Sequence, residues 1–171
     1  MNRFMWILAV SFLVLIPLGM QAQAQPKEVT EAVTTTFYVT PKMLPLDEGR
    51  VRVNHEAIGI VLSDTGSGLF HGATVRVLGG FTVEKGKYND EQDWGVYTLQ
   101  NGDKVFFTST AAGEMKLEGG GEGKLTGTIT GGTGKCAGIK GSSTSTRQSL
   151  RPASQGIAQV YNKGTIKYTL P

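Results

Sequence analysis

The chain has 171 residues, with 17 Lys and Arg against 14 Asp and Glu, for a formal charge of +3. The basic residues are scattered and not interleaved with aromatics, which argues against a nucleic-acid surface, and the single cysteine, Cys136, excludes an internal disulfide. Glycine supplies 24 residues, about twice its average share. With β-branched runs between turn residues and no sustained helical stripe past the first twenty residues, this composition predicts an all-β domain.

The chain opens with an export pattern. Arg3 gives a positive start, Phe4 to Leu18 is an apolar run containing one proline, and Gly19 with Ala22-Gln23-Ala24 supplies small residues for cleavage after Ala24. The run is short for a membrane span. Residues 1–24 are therefore expected to be a secretory signal peptide, leaving no stable membrane anchor and a periplasmic or extracellular protein. Residues 25–171 are enough for one domain with one core.

After a polar lead-in, Ala32 to Thr40 alternates cleanly, with Val33, Thr35, Phe37 and Val39 on one face. Pro41 and Pro45 predict a loop to about Arg50. His55 to Ser63 is a second strand, ended by Asp64-Thr-Gly-Ser-Gly68, and a third runs from Leu69 to Leu78. Phe81 to Val83 is a short extension before a polar loop, Glu84 to Asp93. Trp94 to Gln100 and Lys104 to Thr110 flank Asn101-Gly102-Asp103, a strong hairpin signal. Gly113 to Glu118 continues the sheet before the glycine run 119–123.

Lys124 to Thr130 alternates again, and Gly131-Gly-Thr-Gly-Lys-Cys-Ala-Gly-Ile-Lys-Gly141 reads as a corner between antiparallel strands. The corner has the glycine spacing of a dinucleotide turn, but Gly138, Gly141 and Ser142-Ser-Thr-Ser-Thr146 make a poor helix start. A phosphate loop would need glycine at Ile129 and Ser or Thr at Cys136. Ala137 to Ser149 follows, and Gln155 to Tyr161 and Thr165 to Leu170 predict a last hairpin across Asn162-Lys163-Gly164. About eight strands on short connections close most naturally as an eight-stranded antiparallel up-and-down β-barrel, which leaves no open sheet edges.

Over residues 94–147 the chain resembles the barrel family of allene oxide cyclases and dirigent proteins. The resemblance rests on Gly95-Val-Tyr-Thr, Asn101-Gly-Asp-Lys-Val-Phe106, Gly131-Gly-Thr-Gly-Lys135 and Ala137-Gly-Ile-Lys-Gly141. Cys136 stands where relatives carry an aromatic residue. The resemblance implies an eight-stranded barrel with an apolar cavity, no cofactor and a tendency to homo-oligomers. In that family cyclases guide ring closure and dirigents steer radical coupling, but no match to their catalytic positions is found here.

Glu56 shares a strand face with Ile58, Ile60 and Leu62, opposite Ala57, Gly59 and Val61. If the bulky face lines the lumen, Glu56 becomes a desolvated carboxyl able to act as acid, base or polar anchor. Phe37, Ile58, Tyr97, Phe107, Tyr161 and Tyr168 are the candidate ligand contacts, and Arg76 is expected to face solvent. His55 and His71, the only histidines, lack a second ligand at metal spacing, so no metal is expected. Asn89-Asp-Glu-Gln-Asp93 lacks the pattern of a calcium loop and reads as solvated. No histidine near Cys136 suggests a base, and no Gly-x-Ser-x-Gly elbow is present. The function expected is binding of a small, mainly apolar molecule in the lumen. The alternatives are a cyclase or isomerase, and a solid barrel with a structural role.

Overall fold

The computed structural model describes residues 27–116, 120–151 and 153–171; the expected signal peptide lies outside them. Eight strands, β1 (Glu28–Asp47), β2 (Arg50–Ser63), β3 (Thr74–Glu84), β4 (Lys87–Thr98), β5 (Lys104–Glu114), β6 (Glu122–Gly132), β7 (Lys140–Leu150) and β8 (Ala158–Thr169), pair in sequence order. The sheet closes where β8 pairs antiparallel with β1, from Glu28 opposite Thr169 to Val39 opposite Ala158. The fold is an eight-stranded antiparallel up-and-down β-barrel.

Several strand boundaries differ from the sequence reading, each for a local reason. Pro41 and Pro45 lie inside β1, because past Val39 that strand has no β8 partner and its free edge tolerates residues lacking an N–H. The expected loop over 84–93 is a two-residue turn, Lys85-Gly86, with φ of 50° and 78°, followed at once by β4. The expected third strand starts only at Thr74, and Leu69 and Phe70 belong to a loop. Asn162-Lys163-Gly164 is not a turn but the middle of β8. There Gly164 is needed because a Cβ would strike Thr144 O.

One end of the barrel is sealed. Loop 64–73 returns along β2, with Val61 N–H donating to Ala73 O and Gly72 N–H to Val61 O. This places Phe70, fully buried, edge-on to Tyr97 and Tyr168 at 5.1 and 5.5 Å between centroids. Glu31 accepts from Leu69 N–H (2.7 Å), Phe70 N–H (3.3 Å) and the Tyr168 hydroxyl (2.6 Å), so one carboxylate anchors the plug. The glycine corner is structural, as its sequence suggests. A 3-10 turn over Gly134–Cys136 buries Cys136 and Ile139, and Asp103 accepts the Lys135 N–H at 3.0 Å. Burial, with the Asp103 charge, pushes the Cys136 thiol upward, away from the thiolate.

Candidate functional site

Strand pairing decides what the lumen holds. At one level His55 on β2 pairs with Gly79 on β3, Gly79 with Asp93 on β4, Asp93 with Ser109 on β5, Ser109 with Gly127 on β6, and Gly127 with Ser143 on β7. Gly79 carries no side chain, so His55 and Asp93 meet across β3. His55 Nε2 stands 3.3 Å from Asp93 Oδ1, an ion-pair distance without hydrogen-bond alignment, and Oδ1 has no hydrogen-bond partner among the described residues. Ser109 Oγ donates to the other oxygen, Oδ2, at 3.1 Å. The rest of this level is Gly and Ser, so the barrel is hollow here.

A second level adds charge. In β4 the register with β5 steps from Tyr88 opposite Gly113 to Glu91 opposite Ala111, which leaves one extra residue on β4. This bulge turns both Tyr88 and Glu91 inward and Asn89 and Asp90 outward. Arg147 Nη1 donates to both Glu91 oxygens at 2.8 Å, and Nε lies 3.4 Å from Asn162 Oδ1. The Tyr88 ring reaches toward Arg147 over Gly113 and Gly123; a Cβ at Gly123 would lie 2.5 Å from its hydroxyl. Burial, reinforced by the Asp93 charge, raises the Glu91 carboxyl pKa while Arg147 opposes the rise. Burial, the largest single influence, works to lower Arg147, but the Glu91 and Tyr88 charges, the hydrogen bond to Glu91 and the Asp93 charge together outweigh it and the net direction is up.

The cavity measures about 140 Å³ and runs along the lumen, with Pro41 and Met115 among its lining at the end away from the plug. Phe37, Tyr97 and Phe107 line it, with Val33, Val77 and Ile166. Aromatic rings face glycines on the neighbouring strand: Phe37 lies opposite Gly59, and Phe107 covers Gly95, where a Cβ would collide with the ring, to stack on Tyr97 at 4.5 Å. This large-against-small pairing fits aromatics into a narrow barrel.

The other nominated residues stand elsewhere. Glu56 and Ile58 are on the outer surface, Ile58 54% exposed and Glu56 accepting from Arg76 Nε at 2.6 Å. The expectation that the bulky face of β2 turns inward is corrected: the lumen takes Val53, His55, Ala57, Gly59 and Val61, which leave room for Phe37. Tyr161 also lies on the outer face, one residue out of phase with Val160 and Asn162. Tyr168 faces inward but belongs to the seal. The stretch 89–93, expected to be solvated, buries Glu91 and Asp93 to 1% and 3% exposure. The alternation Glu91, Asp93, Gly95, Tyr97 could have shown this, had the strand been started before Trp94.

Burial raises the Tyr88 and Tyr97 phenol pKa values, and at Tyr168 burial is joined by the hydrogen bond to Glu31. The folded chain holds these protons more tightly than the unfolded chain. The associated stability is therefore full below about pH 10 and is lost as pH rises beyond it. An alkaline titration followed by ultraviolet absorbance is expected to show three phenols ionising late, together with unfolding. Three phenols ionising normally in a folded protein would contradict this packing.

The fold and site together define a small closed antiparallel barrel with an apolar lumen crossed by a buried charged belt. No family model matches the chain, and no curated protein matches it at a significant level.

Proposed function

We propose that the barrel binds a small, mainly apolar molecule in its lumen, with one polar group of that molecule turned to the His55–Asp93 level. The observation that carries this reading is the hollow itself, apolar along most of its wall and interrupted by a buried polar level with unpartnered atoms. A cavity of about 150 Å³ accommodates a single aromatic ring. Burying about 150 Å² of ring surface contributes about 4 kcal/mol, millimolar affinity by itself. The polar contacts then set both orientation and any tighter binding. The leader-like first 24 residues support placing this activity outside the cytoplasm. The cyclase chemistry implied by the resemblance would have no carboxyl at Glu56 to use, because that side chain is outside.

The test compares p-cresol with toluene by calorimetry in chelator-containing buffer. Wild type is expected to bind both, p-cresol more tightly. Ser145→Leu, which fills the small-residue wall of β7, is expected to weaken both by at least about 10-fold while circular dichroism stays unchanged. Binding undiminished in Ser145→Leu, or no binding of either compound by wild type, would overturn the reading.

A further inference from the structure

We infer that His55, Glu91 and Asp93 form a binding site for a divalent transition-metal cation of the zinc type, set in the wall of the lumen. Each side chain offers one ligand atom, and all three atoms lie within 4.8 Å of one another. His55 Nε2 is 3.3 Å from Asp93 Oδ1 and 3.9 Å from Glu91 Oε1. Two ligand atoms about 2.1 Å from a zinc ion at the tetrahedral angle stand about 3.4 Å apart. The two distances from His55 lie within about 0.5 Å of that spacing, and the Glu91 and Asp93 ligand atoms, at most 4.8 Å apart, need to approach by about 1.4 Å at most.

An unpartnered atom points independently to a ligand. Asp93 Oδ1, on a side chain 3% exposed, has no hydrogen-bond partner among the described residues although it faces His55 Nε2 across Gly79. Buried carboxylate oxygens are ordinarily satisfied, and a free one directed at an imidazole nitrogen is what a cation would complete. The surroundings are built for that geometry. A Cβ at Gly79 would collide with Asp93 Oδ1, so glycine there keeps the space into which the carboxylate projects. Ser109 orients Asp93 and Arg147 orients Glu91, in the manner of groups that hold metal ligands in place.

Charge is consistent with a divalent ion. With the imidazole neutral, as metal ligation requires, two carboxylates and one guanidinium leave a net charge of −1 facing the cation. Imidazole with carboxylates suits zinc and its first-row neighbours better than calcium or magnesium. Three protein ligands is the number found in zinc sites that keep a position open for a small molecule. The site shares the lumen with the apolar ligand proposed above but does not depend on it.

The test uses the full chain, stripped with chelator and titrated with Zn²⁺ alone. One zinc per chain is expected, with affinity reduced at least about 10-fold in His55→Gln and in Asp93→Asn, and unchanged in His71→Gln. Co²⁺ in place of zinc is expected to give visible absorption that Asp93→Asn abolishes. The cobalt spectrum of wild type keeps the question decidable if a variant folds poorly. No saturable zinc uptake by wild type, as expected if His55 and Asp93 simply form an ion pair, would overturn the proposal. So would zinc binding indifferent to both substitutions. No organic ligand is present in this titration and chelator is present in the p-cresol experiment, so either reading can fail without the other.

Discussion

Replacing Arg147 with methionine is expected to destabilise the protein by about 3–5 kcal/mol, the usual cost of removing one partner of a buried pair. Arg147 is 15% exposed and Glu91 is fully inside, with both carboxylate oxygens accepting from the same guanidinium nitrogen. Methionine keeps much of the volume, so most of the loss comes from a carboxylate left without its cation. For a domain of this size the melting temperature is expected to fall by roughly 10–15 °C. The double variant Arg147→Met with Glu91→Met is expected to recover much of the loss, because an apolar pair avoids desolvating two charges. Chemical denaturation of wild type, both single variants and the double variant closes the cycle. A loss under about 1 kcal/mol in Arg147→Met would mean that Glu91 does not depend on it.

Phe70→Ala is expected to cost a similar amount, about 3–5 kcal/mol, and to open the sealed end of the barrel. Phe70 is fully buried and sits edge-on to both Tyr97 and Tyr168. Its removal leaves a void between the plug and the lumen, and the strand ends around it cannot collapse because they are tied into the closed sheet. The Glu31 anchor on Leu69 and Phe70 holds the backbone of the loop and does not depend on the ring. Thermal unfolding measures the loss. Faster exchange of the Gly72 and Val61 amide protons would locate it in the plug. A variant as stable as wild type would show that loop 64–73 does not close the barrel.

The fold was legible because barrels write themselves in local signals. Alternation in Ala32–Thr40 and Lys124–Thr130, the Asn101-Gly102 turn and the glycine corner after β6 all carry their meaning within a few residues. Where two local signals conflicted, the reading failed. Pro41 and Pro45 suggest a loop, but they sit on the part of β1 that has no partner on one side. Asn162-Lys163-Gly164 suggests a turn, but Gly164 serves a close backbone approach within a continuous strand.

The site was less legible. Phe37 and Phe107 fall on alternating strand faces in the sequence, and with Tyr97 their side chains line the lumen. Glu56 and Ile58 were misassigned because β2 has apolar residues on both faces, and bulk alone does not say which face turns inward. On the neighbouring strand the Thr36 carbonyl and the Phe37 ring together leave room only for glycine at position 59.

By itself, the order of residues determined an all-β chain, its antiparallel succession of strands and the turns that join them. These depend on interactions between residues close in sequence. Only the closed barrel decided that His55, Asp93, Glu91 and Arg147 meet. Their encounter requires a glycine on the strand between His55 and Asp93, and the bulge in β4 adds Tyr88 to the same interior. Closure then brings β7 round to face β4, and no local pattern encodes a contact made across the interior of a cylinder.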